Sequence, residues 1–205
     1  MTPSPLVIGV ARHNGWANLV SMAAVKGAPR AVDRRRVELI EKGLPNQPYH
    51  HETLAMSVDD AEELLVRVKR TVSSCTARAL DRLSADLQSE HRILGLTLRD
   101  VQFPALPAKI SEVHASYPLT CAADGMLYHF AILESARERG WDVALFRRGE
   151  TTAQAAEAMS TSPSEVERFL DDLRKSLGPP WTKEHREAAA SAIALLGRHS
   201  KVRLR

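Results

Sequence analysis

At 205 residues, 44% of them hydrophobic and 26% charged, with a formal net charge of +3, the chain has the make-up of an ordinary globular domain with apolar residues enough for one buried core. No run approaches the roughly 20 apolar residues of a membrane span, and the start, MTPSPLVIGV, has neither a basic n-region nor a small-residue cleavage site, so a membrane partner is not expected and a cytoplasmic location is. Cys75 and Cys121 are far from any CxxC spacing, which argues against a disulfide framework or zinc ribbon and predicts two buried thiols.

In chain order, Leu6 to Ala11 is a short apolar run and Trp16 to Ala24 a second. Asn14-Gly15 between them is a strong hairpin signal, because both residues tolerate φ > 0. From Ala31 to Ile40 the pattern is ambiguous: Val32, Asp33, Val37, Glu38 and Leu39 alternate as a strand does, while Gly43 suits a helix C-cap. A strand is expected, since a third member completes a sheet that a lone hairpin cannot form stably. LPNQPYHHE follows as a loop, with Pro45 and Pro48 excluding regular structure.

Ser57 with Asp60 makes a capping-box-like helix start, and Leu65, Val68, Val72, Ala79, Leu83 and Leu87 then recur at helical spacings. Ile93 to Leu98 reads as a strand. Pro104 and Pro107 break the chain, a helix is expected from about Thr120 to Arg139 with its stop at Gly140, and Trp141 to Phe146 is the last strand. Short apolar strands separated by a helix read as a βαβ unit in a mixed sheet. The segment TTAQAAEAMSTSPSEVERFLDDL mimics a helix-turn-helix, but Glu165, Glu167, Asp171 and Asp172 would repel phosphates, so two structural helices are expected, the second capped by Ser162 with Pro163 behind it. After GPPW an alanine-rich helix runs from about Thr182 to Gly197.

Arginines cluster at Arg30, Arg34, Arg35 and Arg36, at Arg147 and Arg148, and with Lys201 in a tail of Arg198, Arg203 and Arg205, a distribution that permits phosphate contacts. His50, His51 and Glu52 form a Pro-bounded loop able to offer ligands to a softer metal, with His13 or His185 completing the set. Asp124 at a helix start reads as a partner of free amides. His91, His114, His129 and His199 read as surface or ordinarily hydrogen-bonded residues, and Trp16, Trp141 and Trp181 as core anchors or helix-entry staples. No GxGxxG, Walker loop or GxSxG elbow is present, which argues against nucleotide-cofactor, kinase-type and serine-hydrolase chemistry.

A meander, a helix, a strand, a helix, a strand and a terminal helix resembles the ribonuclease H-like superfamily, and EHREAAASAIALL resembles the terminal helix of Holliday junction resolvases, where an acid or histidine precedes a small-residue run. The chain is also similar to a group of uncharacterised bacterial proteins with YHHE-like, ADGxxY-like and GPPW-like segments, which adds no activity. The expected fold is α/β: a ribonuclease H-like mixed sheet of three antiparallel and two parallel strands, flanked by helices, in one domain over residues 1–205 with a helical pair inserted at about 151–177.

The resemblance implies two-metal chemistry, with carboxylates at the first strand's end, near the fourth strand and on the terminal helix holding two Mg²⁺ ions about 3.5 to 4 Å apart. The first-strand place falls on Ala11, Arg12 and His13, so its acid is missing. The other places fall near Asp100 and near Glu184, His185 and Glu187. Two readings follow. A divergent nuclease dependent on Mg²⁺ or Mn²⁺ would use Glu52, Asp100 and His185 in catalysis, His13 with those three as metal ligands, and Arg12, Arg34, Arg36 and Arg99 on nucleic acid. A non-catalytic module that lost its acids would bind nucleic acid or protein instead.

Overall fold

The first strand is covered on both faces, and the rest of the architecture follows from that. In the structure, a computed structural model describing residues 2–200 and 202–204, strand β1 spans Ser4–Arg12 and buries every residue from Leu6 to Val10. Leu6, Ile8 and Val10 enter one core, while Val7 enters another on the opposite face, as the two-residue period of a strand requires. Lys201 and Arg205 of the expected basic tail lie outside the described residues.

Strands β2 (Trp16–Val25) and β3 (Ala28–Glu38) complete an antiparallel meander, so the ambiguous third segment is a strand. Strands β4 (His91–Arg99) and β5 (Asp142–Phe146) add parallel pairings, β1 with β4 and β4 with β5. The resulting order, β3-β2-β1-β4-β5, is the ribonuclease H-like arrangement of a mixed five-stranded sheet.

One face is covered by helices α1 (Val58–Leu87) and α3 (Tyr117–Glu138), with Val68, Val72, Leu80 and Leu83 of α1 in the core. Ser57 caps α1, its Oγ accepting the Asp60 N–H. A short turn of 3₁₀ helix (Glu52–Ala55) and helix α2 (Ile110–His114) were not legible in the sequence, because each is a single turn with no periodicity to detect.

The other face is covered by α4 (Thr151–Met159), α5 (Pro163–Leu177) and α6 (Lys183–His199). Ala188, Ala189 and Ala192 let α6 sit almost on the sheet: a Cβ at Gly9 would lie 1.9 Å from the carbonyl oxygen of Ala188. Helix α4 approaches α6 similarly, where a Cβ at Gly197 would lie 2.8 Å from that of Ala158. Ser162 and Glu165 form the expected capping box of α5. The carboxylates of Glu167 and Asp171 pair with Arg186 of α6, so the helix-turn-helix-like segment spends its charges within the fold.

Three local expectations are corrected. Cys121 is exposed, and only Cys75 is a buried thiol. His129 is buried, because α3 turns it under Phe103. Trp16 is no core anchor: half-buried at the start of β2, its ring stacks on the His13 ring and contacts the Arg36 guanidinium. Among the described residues no helix is long and apolar enough to cross a membrane.

Candidate functional site

Parallel pairing brings the C-terminal ends of β1, β4 and β5 to one edge, where Val10 lies beside Leu98, and Arg99 beside Phe146. The first turn of α6 meets this edge and closes a cleft of about 110 Å³. Its apolar floor includes Leu98 and Phe146, and its charged lining comprises Arg12, Arg99, Arg148, Glu184 and Glu187. This is the strand-end crevice where open α/β sheets place their ligands, since loops and helix starts leave the strand termini uncovered.

The charges are unevenly paired. Glu184 Oε2 stands 2.8 Å from His13 Nε2, which ties the β1–β2 turn to α6. Glu187 Oε1 stands 4.0 Å from Arg148 Nε, an ion-pair distance too long for a hydrogen bond, and that oxygen is buried without a hydrogen-bond partner among the described residues. Arg12 makes one long bond, to Asn14 Oδ1 at 3.4 Å, and neither Arg12 nor Arg99 has a carboxylate partner among the described residues. Burial first, and the charge of Arg99 second, lower the pKa of Arg12, with Tyr128 opposing. An arginine stays protonated under such pressure, so the cleft carries unneutralised positive charge.

Arg12 also reaches α3. A Cβ at Gly125 would lie 3.7 Å from its Nη2. His129 lies within its field and is held down to a pKa of about 4, by burial first and by Arg12 second, against the pull of Asp100. Its Nδ1 is buried and has no hydrogen-bond partner among the described residues.

The divalent ions implied by the fold layout do not fit here. At the first strand's end, where a carboxylate is needed, the chain has Arg12, and a hard cation gains nothing from a guanidinium neighbour. Among the described residues no three His, Cys, Asp or Glu side chains are placed together to hold a metal.

The four proposed ligands are accordingly found apart. His13 is bonded to Glu184 and stacked on Trp16, with ring centroids 3.7 Å apart. Asp100 accepts from Gln102 at 3.0 Å and is absent from the cleft lining. Strand alternation turns Asp100 toward the α1 and α3 side with Leu96 and Leu98, the side on which the Arg12 guanidinium reaches α3, whereas Thr97 bonds Ser191 of α6. Glu52 starts the 3₁₀ turn and is exposed. His185 is buried and serves as the third residue of a capping box, its Nδ1 accepting from the Thr182 N–H at 3.2 Å. Burial first and Arg34 second lower its pKa, against Glu184.

The proposed phosphate contacts divide. Arg12 and Arg99 line the cleft. Arg34 is turned inward and donates to the carbonyls of Leu177, Gly178, Pro179 and Pro180, two of these bonds being 2.7 and 2.8 Å. It fastens the GPP turn to β3. Arg36 lies over Trp16 with its Cζ 4.1 Å from the ring centre and pairs with Glu38 at 2.9 Å.

Asp124 keeps the structural role expected, with different partners. It sits inside α3 at 1% exposure and accepts the backbone N–H groups of Tyr49 and His50 at 2.9 and 3.1 Å. Desolvation raises its pKa to about 7 against those two bonds, and Glu52 adds to the rise. Arg148 carries no cleft signal in the sequence, and Glu187 is expected there only near the metal. The run from Glu184 to Glu187 was the one available signal, and its meaning changed once Arg12 stood opposite.

No family model matches this chain, and no curated protein matches it. Among solved structures, it is similar to T. thermophilus RuvC in complex with a Holliday junction substrate, at 15% identity and a TM-score of 0.48, over 97% of this chain and 98% of that one. A second structure, of Thermus thermophilus RuvC, is similar at 15% identity and a TM-score of 0.48 over 95% of both chains. The fold assignment rests on the strand order and pairing described above.

Proposed function

We infer that this chain is a nucleic-acid-binding module of ribonuclease H-like layout that engages phosphate with guanidinium groups and needs no divalent metal. The observation that carries the reading is the pair Arg12 and Arg99, which line the strand-end cleft without a carboxylate partner among the described residues. Two like charges, one of them partly buried, oppose each other until an anion enters between them, and a phosphate group accepts the planar donor fork of arginine in bidentate fashion. The bare and paired rims differ in consequence. Glu184 is held by His13, and Glu187 lies at ion-pair distance from Arg148 without a hydrogen bond, which leaves a net positive centre for the backbone of a strand.

A divergent nuclease using Glu52, Asp100 and His185 would need those groups around one ion. His185 is committed to capping α6, Asp100 lies outside the cleft, and Glu52 belongs to the turn beside Asp124. The test is binding of fluorescein-labelled single- and double-stranded DNA and RNA, followed by anisotropy in EDTA and again in Mg²⁺ or Mn²⁺, with the end-point samples run on a denaturing gel. Equal affinity in both buffers with intact strands supports the module. Cleavage that appears only with metal overturns it.

A further inference from the structure

We propose that the cleft at the ends of β1, β4 and β5 is built for a phosphate monoester that still carries a proton, which on a nucleic acid means a phosphorylated strand end. This rests on the nucleic-acid reading above and adds the chemical class of the group that enters.

Three observations carry it. The cleft is small, about 110 Å³, and lies where the first turn of α6 meets the strand ends. One phosphate group suits that volume, and a terminal group can enter it end-on, whereas an internal phosphodiester must bring two flanking sugars to the mouth.

The lining also mixes signs in a way that a fully ionised anion does not favour. Arg12, Arg99 and Arg148 attract, but Glu184 and Glu187 face the same space. Glu184 is satisfied by His13 at 2.8 Å. Glu187 is not satisfied: its Oε1 is buried, lies 4.0 Å from Arg148 and accepts no hydrogen bond among the described residues. A carboxylate accepts and does not donate, so the group that satisfies it must bring a hydrogen.

Only one of the common backbone anions does so. A phosphodiester has no proton left near neutral pH, whereas a phosphate monoester has a second pKa of about 6 and retains an O–H in its singly charged form. With that O–H directed to Glu187 Oε1 and its other oxygens to Arg99 and Arg148, each of these three groups has a partner of opposite kind, and Arg12 adds its charge to the field of the cleft. Sulfate, of similar shape and without a proton, leaves Glu187 facing a bare oxygen.

The experiment uses the full chain and a short single-stranded DNA labelled with fluorescein at its 3′ end, carrying either a 5′-phosphate or a 5′-hydroxyl, at pH 6.5 in EDTA. The phosphorylated strand is expected to bind about tenfold tighter, the scale of one charge-assisted bond. Inorganic phosphate is expected to displace it at concentrations where sulfate does not. In Glu187→Gln the carboxamide N–H can donate to either anion, so the preference for phosphate over sulfate should disappear while the fold and the binding of anions persist.

Equal binding of the two strands, together with equal competition by phosphate and sulfate, overturns the proposal. In that case a loss of binding to both strands in Arg99→Ala still upholds the nucleic-acid reading. The converse outcome is separable: phosphate that raises the melting temperature where sulfate does not, with neither strand bound, supports the monoester site and overturns the nucleic-acid reading.

Discussion

Gly9 of β1 and the carbonyl oxygen of Ala188 in α6 approach so closely that a Cβ at position 9 would lie 1.9 Å from that oxygen. The contact sets the distance between the sheet and the helix that carries Glu184 and Glu187, and therefore the width of the cleft. The alanines of α6 serve the same end. Gly9→Ala should destabilise the protein by about 3 kcal/mol or more, since neither the backbone carbonyl nor a central strand can move aside. Gly140→Ala has open space around its Cβ and a φ of +67°, and should cost only about 1 to 2 kcal/mol. Urea unfolding of the two variants measures the difference, and equal losses would remove the close packing of α6 as an explanation.

Arg34 is expected to matter for stability and not for binding. Its guanidinium donates to four successive carbonyls from Leu177 to Pro180, and hydrogen bonds from a charged donor are worth roughly 1.5 to 3 kcal/mol. Arg34→Ala should lower stability by about 2 kcal/mol and leave affinity for DNA within twofold of the parent chain at a temperature where both are folded. A large affinity loss with unchanged melting would instead return Arg34 to the binding surface.

Asp124 predicts a pH dependence with a definite sign. Its pKa is raised to about 7 in the fold by burial, while in the unfolded chain it titrates in the ordinary carboxylate range. The folded state therefore binds the proton more tightly, and this contribution is fully present below the unfolded pKa and is lost as pH rises through about 7. His129 acts the other way. Its folded pKa is lowered to about 4, so its penalty is absent above about 6.5 and grows as pH falls toward 4. Asp124→Asn should flatten the decline in melting temperature between pH 5 and about 8, and a parallel curve for variant and parent would contradict the assignment.

Metal removal should have no effect. A ligand that binds only the folded state raises its melting temperature by mass action, and no cluster of three acidic, histidine or cysteine side chains exists among the described residues to provide such binding. Melting in EDTA, Mg²⁺, Mn²⁺ and Zn²⁺ should agree within a degree or so once ionic strength is matched. A metal-specific rise that Asp100→Asn abolishes would restore Asp100 to a metal site.

The elements themselves were largely legible. Asn14-Gly15, the Ser57 and Ser162 caps, and the alternation of Val32, Val37 and Leu39 are local signals, and each forms the structure its chemistry favours. The site was less so, because it depends on which face of a strand a residue takes and on what stands opposite. Asp100 and Arg99 are neighbours in sequence, yet only Arg99 lines the cleft. His185 has the residue type of a metal ligand and spends its ring nitrogen on the Thr182 N–H. Arg34 and Arg36 belong to one basic cluster, but one turns inward to four carbonyls and the other stacks on Trp16. Pairings across such sequence separations leave no periodicity to read.

The most direct test of the central claim is the salt dependence of DNA binding in EDTA for the parent chain and for the Arg12→Ala/Arg99→Ala double variant. If these two arginines neutralise backbone phosphate in the cleft, the parent binds without metal. The double variant should then lose at least about tenfold in affinity and show a log K against log salt slope shallower by about 1 to 2, the counterion release expected of two lost contacts on a single strand or duplex. Unchanged affinity and slope in a double variant that melts like the parent would contradict the claim.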